Sequence, residues 1–134
     1  MKHLKIYIIL LSSLFLMNTS CSEQNSETQK ISKDNTEELT ILWTTDNANT
    51  AINFISMYSG FANSRKFFSK VNIIIWGRAN ELIKDNDEIH KTIKGMLKSG
   101  IKVKACRACS DKMGTTKILE ELGVEVDYLG NELT

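Results

Sequence analysis

The chain has 134 residues, 42% hydrophobic and 25% charged, ordinary proportions for a globular protein with one domain and one core. The formal net charge is +1, and removal of an N-terminal signal with Lys2 and Lys5 leaves 15 basic against 16 acidic side chains. That balance offers no electrostatic footprint for nucleic acid and excludes this class of partner.

Met1 to Lys5 is short and basic, and Ile6 to Met17 is an apolar run of 12 residues broken only by Ser12 and Ser13. A spanning helix needs ~20 residues, so the run fits the core of a secretory signal rather than a membrane span. Asn18, Thr19 and Ser20 precede Cys21. A cysteine after small residues at this place resembles a bacterial lipobox, in which the cysteine is acylated and becomes the new N-terminus. The usual pattern has Leu where this chain has Asn18; a plain secretory signal with Cys21 near the cut is the alternative. Segment 1–21 is therefore read as a signal with a lipidation site at Cys21, which places the protein outside the cytoplasm, anchored to the cell envelope through lipid. Residues 22–38 are rich in Ser, Glu, Gln, Asn, Lys and Thr, with Ile31 as almost the only apolar member, and read as a disordered tether.

The domain is expected over 39–134. Leu39 to Trp43 reads as a strand that ends in the turn Thr44-Thr45-Asp46-Asn47. Ala51, Phe54, Ile55, Tyr58 and Phe61 follow at helical spacing, with Asn47 or Asn49 as the cap. Val71 to Trp76 is a second strand closed by Gly77, and Glu81 to Ile83 reads as one helical turn. Asp87 is placed as the cap of a helix with Ile89, Ile93, Met96 and Leu97 on its apolar stripe, and Gly100 as its stop. Ile101 to Ala105 is a third strand. Cys106 to Lys112 begins a turn or short helix, Ile118, Leu119 and Leu122 line another, and Val124 to Leu129 is a fourth strand. Strands alternating with helices at this spacing imply βαβ units: a three-layer α/β/α domain, Rossmann-like, with a parallel sheet of four to five strands. Functional groups in such sheets gather beyond the carboxyl ends of the strands. Here those ends are Thr44 to Asn47, Gly77-Arg78, Cys106 to Cys109 and Gly130-Asn131.

Cys106-Arg107-Ala108-Cys109 puts a C-x-x-C at one of these ends. Helix amides aimed at the sulfur, with Lys104, Arg107 and Lys112 nearby, are expected to lower a thiol pKa and raise nucleophilicity. Four chemistries use such a pair. A thioredoxin-like oxidoreductase needs a cis-proline opposite the cysteines, and this chain has no proline. Structural zinc needs four ligands, and one chain with Cys106, Cys109 and His90 does not complete the set. A Cu(I) carrier uses two thiolates alone. In sulfur transfer, one cysteine carries a persulfide. Two small buried hydrophobes are the plainer alternative.

From Leu39 onward the chain resembles the DsrE-like sulfur-relay family. The residues that carry the resemblance are Val71-Asn72-Ile73-Ile74-Ile75-Trp76-Gly77, the block Gly100-Ile101-Lys102-Val103-Lys104-Ala105-Cys106, the spacing from Cys106 to Gly114, and Leu122-Gly123-Val124-Glu125-Val126. The resemblance implies a DsrE-like sheet, Cys106 as the sulfur-carrying nucleophile, a donor or acceptor protein as partner, and a homo-oligomer, a trimer or hexamer. Cys109 falls outside the relay pattern and belongs to a branch bearing C-x-x-C; it is read as the resolving partner. The sulfur-relay members are cytoplasmic, whereas this chain carries an export signal. The functional expectation is a sulfurtransferase or persulfide carrier, with a non-catalytic module for Cu(I) or a small ligand as the alternative; no cofactor and no resident metal are expected.

Asn47, Gly77 and Arg107 are the candidate binding residues around the pair. Thr44 to Thr50 resembles the phosphate loop of flavodoxins but lacks its glycine, so a helix cap at Asn47 is the preferred reading. Gly77 suits a tight turn that opens onto the cysteines. Trp43 and Trp76 are read as core or interface residues.

Overall fold

The computed structural model describes residues 37–132. Segment 1–21 with Cys21, and the polar stretch up to residue 36, lie outside the described residues. Four strands, β1 (Glu38–Trp43), β2 (Lys70–Ile75), β3 (Lys102–Cys106) and β4 (Glu125–Asp127), pair in parallel in the order β1-β2-β3-β4. The domain is thus α/β and Rossmann-like, its four-strand parallel sheet flanked by helices. It begins earlier than the composition suggests: Glu38 pairs with Lys70 in register, and Glu37 O accepts from Ser69 N at 2.9 Å.

The first connection is one helix, α1, over 48–64, made of an α turn Ala48–Thr50, a π-wound stretch Ala51–Ser56 and an α segment Met57–Ser64. Asn47 caps it, its Oδ1 accepting from Thr50 N at 2.9 Å. The second connection is a 3₁₀ segment, Gly77–Ile83, followed by α2 (Asp87–Lys98). Here the cap is Asn86 and not Asp87: Asn86 Oδ1 accepts from Ile89 N at 3.1 Å, and Asp87 enters the first turn with Glu88, where both acids favour the helix dipole. Gly100, at φ +86°, ends α2, with Ile101 N bonded to Met96 O at 3.1 Å. The third connection is α3 (Arg107–Met113) and α4 (Thr116–Leu122); after β4 comes a 3₁₀ turn, Leu129–Glu132.

Strand alternation divides the sheet into two unlike faces. One face carries Leu39, Ile41 and Trp43, then Val71, Ile73 and Ile75, then Val103 and Ala105, and Val126. It joins a single core with Ala51, Ile55, Ala62, Ala79, Ile83, Ile89, Ile93, Met96 and Leu119 from the connections. The other face carries Glu38, Thr40 and Leu42, Lys70, Asn72 and Ile74, Lys102, Lys104 and Cys106, and Glu125 and Asp127. Lys70 pairs with Glu38 at 2.7 Å, and Lys102 and Lys104 reach Glu125 at 3.3 and 3.6 Å. Glu38, held by Lys70 and Asn72, has its pKa lowered by those hydrogen bonds.

The apolar stripe of α1 is corrected. Periodicity puts Phe54, Tyr58 and Phe61 inward beside Ala51 and Ile55. The buried line is instead Ala51, Ile55, Ser59 and Ala62, and Phe54, Met57, Tyr58 and Phe61 stand exposed. Small residues let the helix lie close to the sheet, and Ser59 loses nothing by burial because its Oγ donates to Ser56 O at 3.0 Å.

Candidate functional site

Cys106 is the last residue of β3 and the N-cap of α3, so both cysteines lie at the carboxyl edge of the sheet. The chain turns there because β3 ends in an extended residue, Cys106 at φ −69° and ψ 115°, directly before Arg107 enters the helix. Cys106 is 4% exposed and buried; Cys109, one helical turn on, is half-buried. Both thiols are free, and Cys106 and the Gly77 backbone both bear on the protonation of Cys109. Gly77 takes φ +57° to make this turn, and no atom lies within 4 Å of where a Cβ would stand.

At Cys109 the electrostatics differ from the expectation of a lowered thiol pKa. The Cys106 side chain accepts no capping hydrogen bond from the amides of α3. Cys109 has its pKa raised: burial is the largest cause, followed by its hydrogen bond with Cys106, against the opposing pull of the Gly77 amide and the charge of Lys112. Cys109 is therefore a protonated thiol at neutral pH and can donate its S–H toward Cys106.

The flanking residues sort themselves by partner. Arg107 points away from the thiols: its Nη2 reaches Glu120 Oε1 at 3.1 Å and Val126 O at 2.9 Å, tying α3 to α4 and β4. Asn47 is occupied as the cap of α1. Its neighbour Asp46 pairs with Arg78, which links the turns after β1 and β2. His90 is set apart from the cysteines, with Nε2 against Ile83 O at 2.7 Å. Trp43 is fully buried and donates Nε1–H to Thr45 O at 2.9 Å, a core role; Trp76 is half-buried. Among the described residues no group of three or more His, Cys, Asp or Glu side chains is placed to hold a metal ion, and no helix is long and apolar enough to cross a membrane.

Three polar residues that the sequence does not single out are fully buried in the segments that follow β2 and β3: Asn80, Ser110 and Thr115. Ser110 Oγ bonds Arg107 O at 3.1 Å and Thr116 Oγ1 at 2.7 Å. Among the described residues no buried side-chain polar atom lacks a partner. Polar residues at buried positions of short segments carry no periodic signal, so only the fold brings them together. A concavity of about 700 Å³, lined by residues that include Asn63, Lys66, Phe68, Ser69, Ser99 and Gly100, sits at the amino ends of the strands, away from the cysteines.

Neither a family model nor a curated protein matches the chain. A solved structure does: a conserved protein of unknown function from Bacteroides thetaiotaomicron is 38% identical, with a TM-score of 0.70, over 72% of this chain and 84% of that one.

Proposed function

We propose that this chain, which belongs to the same family as the conserved Bacteroides thetaiotaomicron protein, handles sulfane sulfur or thiol redox equivalents through Cys106, with Cys109 as the resolving partner. The carrying observation is the placement of two free thiols, one helical turn apart, at the carboxyl edge of a parallel sheet. The resemblance of the Val71–Gly77 and Gly100–Cys106 blocks to DsrE-like sulfur carriers supports the same reading. The signal-like segment and Cys21 support an exported, lipid-anchored location for this chemistry.

The steps balance without a cofactor. Cys106 thiolate attacks the outer sulfur of a donor persulfide; the donor's S–S bond breaks, the donor leaves as a thiolate, and Cys106 holds the persulfide. Transfer onward to an acceptor thiolate reverses this step. Alternatively, Cys109 loses its proton and attacks the Cys106 sulfur, forming the Cys106–Cys109 disulfide and expelling hydrosulfide. The sulfane sulfur is then reduced by two electrons, the dithiol is oxidised by two, and a thiol reductant restores the pair.

The test is the mass of the reduced full-length chain after exposure to a small-molecule persulfide donor. Trypsin cuts at Arg107 and separates the two cysteines. The expected result is one added sulfur on the Cys106 peptide, stabilised in Cys109→Ser and absent in Cys106→Ser. A wild-type chain that takes up no sulfur, or an adduct that survives Cys106→Ser, rejects the reading.

A further inference from the structure

The outer side of α1 carries Phe54, Met57, Tyr58 and Phe61, all exposed. Phe54 stacks with Tyr58, and Phe61 meets the exposed Phe67 edge-on, so one aromatic ridge runs from the helix into the turn before β2. Contiguous apolar patches of this kind mark surfaces that are used. Charge narrows the choice of partner. From Asn47 to Asn80 the sequence has no Asp or Glu, while Arg65 and Lys66 stand exposed in the turn, Arg65 over the Phe61 ring. Where β1 and β2 begin and α2 ends, the carboxylates of Glu37 and Glu38 are outnumbered by Arg65, Lys66, Lys70 and Lys98, and Lys70 holds Glu38 at 2.7 Å.

We propose that the outer face of α1 and the turn after it form a membrane-docking surface, which seats the domain on a bilayer carrying anionic phospholipid. Rings enter the headgroup layer, and the bases beside them meet lipid phosphate. A second copy of the chain fits less well, because a two-fold contact between two such patches sets bases against bases. The path of the chain points to the same edge. Glu37 is fixed to the turn: its carbonyl accepts from Ser69 N and from Ser69 Oγ, both at 2.9 Å. A lipid anchor at Cys21 therefore draws in the edge of the domain that holds Lys66 and Phe67; this part of the argument rests on the reading of Cys21 as acylated. The surface orients an anchored domain, and its own hold on lipid is weak and reversible.

Lys33–Thr134 is one compact unit that contains the whole core, so the chain from residue 22 onward keeps the fold without the signal or Cys21. The experiment measures co-sedimentation of that chain with vesicles of phosphatidylcholine, with and without phosphatidylglycerol, up to millimolar lipid, the range in which a tethered domain meets its bilayer. Binding is expected only to the vesicles with phosphatidylglycerol. Phe54→Ser is expected to weaken it about tenfold, the worth of the exposed part of one ring. Arg65→Gln and Lys66→Gln are expected to weaken it about fivefold for each charge removed. Both sites are exposed, so thermal unfolding of these variants should match wild type. In Phe54→Trp, the added indole emission should shift to the blue on these vesicles and be quenched by brominated acyl chains. Tyr128→Trp, beyond β4 at the opposite edge of the sheet, should show neither change. Vesicles that bind no chain, or that bind wild type and Phe54→Ser alike, overturn the proposal, as does equal quenching at positions 54 and 128. A lipid-free dimer that Phe54→Ser dissociates, with no binding to vesicles, assigns the face to a second copy and overturns it too. Acylation is tested separately. A chain acylated in cells that fails on vesicles loses the surface and keeps the anchor, and one that docks but is not acylated keeps the surface and loses the anchor.

Discussion

Arg107 separates what the sequence suggests about the cysteine pair from what the structure supports. Placed between Cys106 and Cys109, it reads as a charge that activates thiols. In the fold its guanidinium is turned to Val126 O at 2.9 Å and Glu120 Oε1 at 3.1 Å. Arg107→Ala should therefore cost stability and leave the thiols alone. The hydrogen bond to the β4 carbonyl is worth about 1 kcal/mol with a charged donor. The ion pair adds a few tenths of a kcal/mol at most, because the Glu120 side chain is half exposed and solvent screens it. The expected loss is about 1–1.5 kcal/mol, near 1 M in urea midpoint for a domain of this size. Urea unfolding followed by fluorescence of the buried Trp43 reads this loss, and alkylation followed by intact mass reads the thiols. Glu120→Gln should reproduce only the minor share. A folded Arg107→Ala whose cysteines react more than about threefold slower, with unchanged urea midpoint, refutes the assignment, since that is the pattern of a charge acting on sulfur across space.

Two further outcomes are expected. Cys109 has its pKa raised above the usual 9.0 by burial and by Cys106. The folded state therefore holds the proton more tightly than the unfolded one; the associated stability is complete below the unfolded value and lost as pH rises through the folded one. Wild-type urea midpoints should fall more steeply than those of Cys109→Ser above pH 9 or so, and parallel curves for the two chains reject the raised value. For the proposed anchor, Cys21→Ser should move the chain from the membrane fraction to the soluble one in the cell of origin, and equal membrane retention of both chains argues against acylation at Cys21.

The sheet was legible because its strands announce themselves in two ways. Val71, Ile73, Ile74 and Ile75 form a β-branched run that only a buried strand suits, and Gly77, Gly100 and Gly123 close successive units. The location of the cysteines followed from topology alone, since residues after a parallel strand necessarily meet the carboxyl edge. The raised pKa of Cys109 was not legible. A C-x-x-C at a helix start suggests amides on sulfur, but the outcome depends on burial, and the Gly77 amide comes from a turn about thirty residues away. Asn86 in place of Asp87 was a choice between adjacent capping residues of similar propensity, decided by which one adopts the extended backbone.

The misread face of α1 has a cause that bears on the whole molecule. Hydrophobicity ranks Phe54, Met57, Tyr58 and Phe61 above Ser59 and Ala62, yet the helix buries the small residues and exposes the large ones, with Phe54 65% and Met57 66% exposed. The exposed rings organise among themselves: Phe54 stacks with Tyr58 at 6.4 Å between centroids, Phe61 meets Phe67 edge-on at 5.4 Å, and Arg65 lies over the Phe61 ring. Ala51, Ile55 and Ala62 share one core with Trp43, Ile73 and Ile75, so the side of the helix that meets the sheet is marked by residue size and not by hydrophobicity alone.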